Sequence, residues 1–140
     1  MPITVTDYNH VRLTVRDIDV SRAFYDAVFG FDVAVELPAD ADEATKEQLS
    51  FLFGGIIYQF GGGLLGLRPV APDEDQFHED RTGLDHVSFS VADIPALEVA
   101  VEVLDGLGVA HEGIKDLGTM SILEFRDPDN IALELTAPNG

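Results

Sequence analysis

Alternation of apolar and polar residues recurs at two places in the chain and predicts two similar strands. Residues 9 to 18 read Asn-His-Val-Arg-Leu-Thr-Val-Arg-Asp-Ile, and residues 85 to 94 read Asp-His-Val-Ser-Phe-Ser-Val-Ala-Asp-Ile. In both segments a histidine precedes a period-two run, which is the pattern of a half-buried strand. Each run ends in an Asp-Ile pair that leads into a stretch with helical spacing. The chain is therefore predicted to contain one module twice.

A helix is predicted directly after each of these strands. The first covers roughly residues 20 to 29 and stops at Gly30. Its apolar positions at helical spacing are Ala23, Phe24, Ala27 and Val28. The second covers roughly residues 94 to 107, with Asp93 as its predicted N-cap. Each helix is expected to cover one face of the strands that follow it.

Further strand-like runs follow each helix. In the first half they are residues 31–37, 48–53, 56–60 and 64–70, and in the second half they are 109–114, 121–125 and 131–136. The pair Gly54-Gly55 either interrupts one strand or separates two. Turns are predicted at residues 61–63 and 127–130, which are rich in glycine or in aspartate, proline and asparagine.

The pattern predicts one α+β domain made of two tandem βαβββ modules. Module one covers residues 7–70, a polar linker covers 71–82, and module two covers 83–138. The linker is placed where prolines and carboxylates replace the periodic pattern.

Strand alternation separates a core face from an opposite face in each module. The predicted core residues are Val11, Leu13, Val15, Val87, Phe89, Val91, Ile131, Leu133 and Leu135. The opposite face then carries His10, His86 and Glu134. If each sheet curls so that this face is concave, the three side chains can point into one cavity.

Two neutral imidazoles and a carboxylate form a ligand set for one divalent metal ion. The set suits Fe2+ or Mn2+ best and is acceptable to Ni2+, Co2+ or Zn2+. A single histidine on a strand is more often a surface residue, but here it recurs at the equivalent position of a repeat. Glu134 lies between two leucines, where a carboxylate is costly to bury unless it is paired or coordinated. The chain has no cysteine, so no thiolate can serve as a ligand.

Composition narrows the classes of partner. The 140 residues are 46% hydrophobic and 24% charged, and the formal net charge is -18. Such a charge repels nucleic-acid phosphates and anionic lipid surfaces, although it could attract a cationic small molecule. No apolar run approaches the roughly 18 residues of a membrane span, and residues 1 to 8 lack the pattern of a signal peptide. A cytoplasmic location is therefore expected.

Several motifs together resemble the vicinal oxygen chelate superfamily, which includes glyoxalase I, bleomycin-resistance proteins, fosfomycin thiol transferases and extradiol dioxygenases. They are Asn9-His10-Val11 with Asp17-Ile18, Ala23-Phe24-Tyr25, Gly30-Phe31, Asp85-His86-Val87, and residues 125–135, Phe-Arg-Asp-Pro-Asp-Asn-Ile-Ala-Leu-Glu-Leu. The resemblance implies that the sheets form a cupped, partly open barrel with flanking helices. It also implies metal ligands at His10, His86 and Glu134.

The family pattern has a fourth ligand position, and here it falls on a glycine. Aligning residues 64–68 with 132–136 places Gly66 opposite Glu134 of the other module. Gly66 can neither bind a metal nor accept a proton, which argues against isomerases that use a fourth carboxylate. The three-ligand set resembles that of the dioxygenases or thiol transferases instead. Candidate substrate-pocket residues are Arg12, Tyr58, Gly66, Arg68 and Ser88.

The resemblance leaves two functions open, beside a structural or regulatory protein whose metal site has drifted. The first is a metal-dependent enzyme, an oxidoreductase, lyase or transferase, acting on a small substrate that chelates through neighbouring oxygens. The second is a non-catalytic protein that sequesters an antibiotic, as bleomycin-resistance proteins do in an acidic groove. Members of the family commonly pair, so a homodimer is also expected.

Overall fold

A computed structural model describes all 140 residues and contains two βαβββ modules. Module one consists of β1 (His10–Thr14), α1 (Ile18–Val28), β2 (Asp32–Glu36), α2 (Glu43–Gln48), a 3-10 helix (Ser50–Leu52), β3 (Ile56–Phe60) and β4 (Gly63–Arg68). Module two consists of β5 (Val87–Ser90), α3 (Ile94–Gly106), β6 (His111–Asp116), β7 (Met120–Arg126) and β8 (Ala132–Pro138). The predicted α+β class and the repeated βαβββ order are confirmed.

Each module builds its own four-stranded mixed sheet. The strand order is β1-β4-β3-β2 in module one and β5-β8-β7-β6 in module two. In both sheets the first and last strands of the module pair in parallel, and the other pairs are antiparallel. Both sheets are open, because their outer strands have only one neighbour. The parallel pair brings the histidine-bearing strand beside the strand on which the last predicted ligand position lies.

The register confirms the alignment of the two modules. Arg12 pairs with Gly66 in module one, and Ser88 pairs with Glu134 in module two. Position 66 is therefore the structural counterpart of position 134. The alternating burial of β8 also follows the prediction, since Leu133 is 1% exposed and Leu135 is 7% exposed.

The predicted strand over residues 48–53 is wrong. The segment contains the end of α2 and the 3-10 helix, and Asp42 caps α2 by accepting a hydrogen bond from the backbone N–H of Thr45 at 2.8 Å. Leu52 is the buried residue of the 3-10 helix. Phe53 then takes a positive φ of 52°, which ends the turn before β3. The apolar spacing of this segment reflects helical turns, not the alternation of a strand.

The face of α1 also differs from the prediction. The helix buries Ser21 and Tyr25, whereas Ala23 and Ala27 are exposed. Tyr25 is fully buried and its ring stacks against Phe29 at a centroid distance of 5.9 Å. The large aromatic side chain excludes more apolar surface from water than the alanines could, so it sets the orientation of the helix.

The chain divides into two compact units, residues 1–73 and 74–140. The segment predicted as a linker, residues 71–82, contains no helix or strand. Its later part is attached to module two, because the backbone N–H of Phe77 donates to the carbonyl of Asp129 at 2.9 Å. No helix is long and apolar enough to cross a membrane.

An outer strand of each sheet carries an irregularity at an equivalent place. The pairing of β2 with β3 shifts between Val33 and Val35, and the pairing of β6 with β7 shifts between His111 and Ile114. Such a bulge twists a strand locally and leaves a residue unpaired. The other outer strands, β1 and β5, pair with their neighbours without a shift.

Candidate metal and substrate site

His10 is the first residue of β1 and His86 immediately precedes β5, and each ring contacts the side chain of the residue before it. Nδ1 of His86 lies 2.6 Å from Oδ1 of Asp85, and Nδ1 of His10 lies 2.6 Å from Oδ1 of Asn9. Because a carboxylate oxygen only accepts, the proton of a neutral His86 ring belongs on Nδ1. The same holds for His10 beside the amide oxygen of Asn9. Nε2 of each ring is thereby left with its lone pair, as a metal ligand requires.

Glu134 is a half-buried carboxylate on this face. Its side chain is 13% exposed, and its Oε2 lies 3.8 Å from Nε2 of His86. Its Oε1 accepts a hydrogen bond from the hydroxyl of Thr136 at 3.0 Å. The hydroxyl proton of Thr136 is used in the bond to Glu134. In the 2.6 Å contact between the Ser88 and Thr136 hydroxyls, Ser88 is therefore the donor and the Thr136 oxygen is the acceptor. Ser88 therefore orients Glu134 through Thr136.

The carboxylates around His86 change its acidity. The hydrogen bond to Asp85 raises the pKa of His86, and the charges of Glu134, Asp85 and Glu124 raise it further. Partial burial acts in the opposite direction. The imidazole thus sits in a negative environment that also attracts a metal cation.

Both side chains line a cavity of about 490 Å³ that lies wholly within the compact unit of residues 74–140. The residues around it are Glu79, Asp85, His86, Ala110, His111, Glu112, Lys115, Glu124, Phe125, Arg126, Ala132, Leu133 and Glu134. Its carboxylates outnumber its lysine and arginine side chains. The cavity therefore favours a cationic group near His86 and Glu134.

The cations of the cavity are each held by a glutamate. Nζ of Lys115 lies 3.0 Å from Oε2 of Glu124. Arg126 makes a two-bond contact with Glu79, with donor-to-acceptor distances of 2.8 and 3.0 Å. Glu124 lies directly opposite Glu134 on the paired strands β7 and β8, so the two carboxylates share one face.

The equivalent face of module one has a different chemistry. A side chain at Gly66 would begin 3.0 Å from Cγ of Arg12, which lies over the glycine. The Arg12 guanidinium donates to the carbonyl of Phe51, and its Nε is buried without a hydrogen-bond partner. Arg68 lies 4.3 Å above the ring of Phe53. An arginine stem fills the space that a fourth ligand would need.

Tyr58 is placed away from His10, contrary to its prediction as a pocket residue. It is fully buried on the face that packs against α1, and its hydroxyl donates to Oδ1 of Asp26 at 2.9 Å. Burial and this bond raise the pKa of the Tyr58 phenol above its usual value of 10. Tyr58 is therefore a core residue whose hydroxyl ties β3 to α1.

The donor set fits a divalent metal in part. His86 and Glu134 present a neutral imidazole nitrogen and a carboxylate to the same cavity, which is the chemistry that Fe2+ or Mn2+ accepts. No group of three or more histidine, aspartate or glutamate side chains is close enough within one copy of the chain to hold a metal ion. Two of the three predicted ligands, His86 and Glu134, thus lie close together, and the roles of all three as ligands stay predictions.

Residues 7–135 match the family model described as the Glyoxalase/Bleomycin resistance protein/Dioxygenase superfamily. The chain belongs to this superfamily. Among curated superfamily relatives, the uncharacterized protein YaeR of Escherichia coli (strain K12) is 33% identical over 129 residues, which is 91% of this chain and 92% of the relative. Glyoxylase I 4 of Arabidopsis thaliana is 25% identical over 139 residues, covering 96% of this chain and 72% of the relative.

Solved structures share the superfamily fold. A glyoxylase/bleomycin resistance protein/dioxygenase domain from Frankia sp. EAN1pec superposes with a TM-score of 0.76 at 32% identity, covering 97% of this chain and 94% of that chain. The fosfomycin resistance protein FosX from Listeria monocytogenes gives a TM-score of 0.72 at 17% identity, with 97% and 94% coverage. At that identity the likeness to FosX shows the fold alone.

Three charged residues that line the cavity were not predicted from the sequence. Glu124 and Arg126 could have been found, because alternation along residues 121–126 places them on the same face as each other and opposite the buried leucine and phenylalanine. Glu79 carried no such signal, since it lies in a segment without regular structure. His111 also lines this cavity, and its Nε2 lies 2.8 Å from Oδ1 of Asp105.

Proposed function

We propose that this protein is a divalent-metal enzyme whose metal is held by His86 and Glu134 of module two together with His10 of module one. The observation that supports it is the convergence of the His86 Nε2 and the Glu134 carboxylate in one cavity, each oriented by a hydrogen bond from its other side. Fe2+ and Mn2+ suit this donor set best.

The superfamily supports the same kind of metal. A FosX structure is a complex with Mn(II) and 1S,2S-dihydroxypropylphosphonic acid, a ligand with neighbouring oxygens. When bound, such an ion polarises substrate oxygens and holds them in place. The chain's own residues orient the ligands: Asp85 fixes the His86 ring, and Thr136 holds one oxygen of Glu134.

The missing fourth ligand supports one class of reaction over another. Gly66 offers no carboxylate to bind a metal or move a proton, so we favour a dioxygenase-like or thiol-transferase-like reaction over a four-ligand isomerisation. A small organic molecule with two neighbouring oxygens is the expected substrate. We also propose that the protein forms a homodimer.

Metal binding by single-residue variants tests the proposal. We expect His86→Ala and Glu134→Ala to lower the affinity for Mn2+ by roughly a hundredfold or more, because each removes a direct ligand. His10→Ala should weaken Mn2+ binding as well. His78→Ala is the matched control, since this exposed histidine lies outside the cavity. Full metal content in the His86 and Glu134 variants would refute the site.

A sequestering protein is the second candidate, and the carboxylate-rich lining of the cavity favours it. A cationic drug would be held there by charge without any need for a metal. Carefully demetallated protein separates the two functions. If it binds bleomycin with a ratio of one drug per cavity, and Mn2+ does not bind the protein at all, the sequestering function replaces the enzymatic one.

A further inference from the structure

Arg126 and His86 lie on the same face of module two, on either side of a small residue. Arg126 pairs with Ala132, and β5 enters the sheet one residue after His86, where Val87 pairs with Leu133. The backbones of His86 and Arg126 are thus two strand spacings apart, about 10 Å. Ala132 lies between them with only a methyl group. A ligand bound at His86 and Glu134 therefore has free space in the direction of Arg126.

The guanidinium of Arg126 is already engaged as an anion receptor. Two of its nitrogens donate to the two carboxylate oxygens of Glu79, at 2.8 and 3.0 Å. Parallel paired bonds of this kind are the geometry with which arginine recognises carboxylates and phosphates. Glu79 comes from residues 74–82, which have no helix or strand.

This ion pair can be exchanged. The side chains of Arg126 and Glu79 are 41% and 34% exposed, so water and small anions reach both. Ion pairs with such exposure contribute little to the free energy of folding, so displacing Glu79 from Arg126 requires little free energy. The lysine of the cavity belongs to the outer strand β6 and pairs with Glu124 of the neighbouring strand β7, but it forms one bond where Arg126 forms two.

We propose that Arg126 binds a second anionic group of the substrate, and that Glu79 occupies this receptor until the substrate displaces it. The proposal rests on the metal site at His86 and Glu134, and it names the substrate class: a small oxygen chelator that carries an additional carboxylate. One end of the molecule chelates the metal, and the other crosses Ala132 to reach the guanidinium. Arg126 is then a specificity residue, and Glu79 is an internal competitor.

Two matched probes test the proposal on Mn2+-loaded protein. L-Malate and L-lactate share an α-hydroxy carboxylate that chelates through two oxygens, and only malate has a second carboxylate. We expect malate to bind about tenfold more tightly than lactate, because one charge-assisted bidentate contact is added. Calorimetric titration gives both affinities, and the relaxation of water protons by Mn2+ reports whether each probe reaches the metal.

Variants separate the receptor from its competitor. Arg126→Gln should reduce the malate affinity to that of lactate, and Arg126→Lys should restore only part of the difference. Glu79→Gln should raise the malate affinity severalfold and leave lactate unchanged, a result that a purely structural role of Glu79 would not give. Lys115→Gln is the matched control for loss of a positive charge in the cavity, and we expect the malate-to-lactate ratio to stay as in the natural protein.

The outcomes also distinguish this proposal from the metal site beneath it. If Mn2+ does not bind, the proposed function fails first and this inference fails with it. If Mn2+ binds and both probes reach it with equal affinity in the natural protein and in the Arg126 variants, only the anion receptor is refuted. Loss of the malate preference in Lys115→Gln alone would also overturn the assignment to Arg126.

Discussion

The two modules share one topology and one register, yet the faces opposite their helices carry different chemistry. The equivalent positions, read from module one to module two, are Arg12 and Ser88, Ile57 and Glu124, Gln59 and Arg126, and Gly66 and Glu134. The buried faces remain alike, with leucines at positions 65 and 133. The two modules therefore keep similar packing on their buried faces and differ in the side chains of the opposite faces.

This difference shows that the fold fixes where equivalent residues lie, and that the side chains at those positions determine the chemistry. In module two, a small Ser88 leaves Glu134 reachable and orients it through a hydroxyl chain. In module one, Arg12 covers Gly66, so the same position has neither a ligand nor the room for one. One module therefore offers a histidine, and the other offers a histidine, a carboxylate and a cavity.

The largest expected effect tests whether the buried faces of the two sheets contribute equally to the stability of the protein. Leu65 and Leu133 are each 1% exposed at equivalent positions. We expect Leu65→Ala and Leu133→Ala each to lower the free energy of unfolding by about 2–5 kcal/mol, because each leaves a cavity in a packed core. Urea denaturation measures both. Val99→Ala, at a 58% exposed position on α3, should change it by less than about 0.5 kcal/mol. A loss in one leucine variant only would break the equivalence.

An intermediate effect tests whether Arg12 excludes a side chain from Gly66. The first carbon of a side chain at position 66 would meet the Arg12 stem at 3.0 Å. In an Arg12→Ser background, which copies Ser88 of module two, Gly66→Ala should be more favourable than in the natural protein by about 1 kcal/mol. A double-mutant cycle in urea gives this coupling energy. Additive effects would show that the arginine gives way without cost.

The smallest expected effect concerns Glu79, whose partner Arg126 is replaced in module one by the uncharged Gln59. The bonds from Arg126 lower the pKa of Glu79 from 4.5 to about 2. The folded-state pKa lies below the unfolded one, so the pair adds stability above pH 4.5, and this contribution is lost as the pH falls toward 2. Carboxyl NMR titration measures the pKa directly. In Arg126→Gln it should return toward 4.5, and a value that does not move would contradict the pairing.

Most of the fold was readable from the chain because its strands obey simple alternation. The repetition of the module followed from aligning two segments that share histidine, apolar spacing and an Asp-Ile pair. Residues 48–53 failed because a short apolar run fits a strand or a helical turn, and only the packing of Leu52 decides. The burial of Tyr25 instead of the alanines depends on which side chains fill the core, and tertiary packing decides this.

The residues of the candidate site could be predicted from the sequence only where they lie on regular strands. His86 and Glu134 could be placed on one face by counting residues. The parity of Tyr58 was open, because the irregular segment before β3 prevented the same count. Glu79 could not be found at all, since the path of residues 74–82 is fixed by contacts such as that of Phe77 with Asp129, which no local pattern encodes.

The shifts in pairing on β2 and β6 have a consequence for how the protein behaves at high concentration. An open sheet exposes unpaired backbone groups along its outer strands, and a straight outer strand is a template for uncontrolled association. A bulge interrupts that template at an equivalent place in each module. Together with the repulsion that a net charge of -18 produces between copies, these bulges make β2 and β6 poor templates for such association.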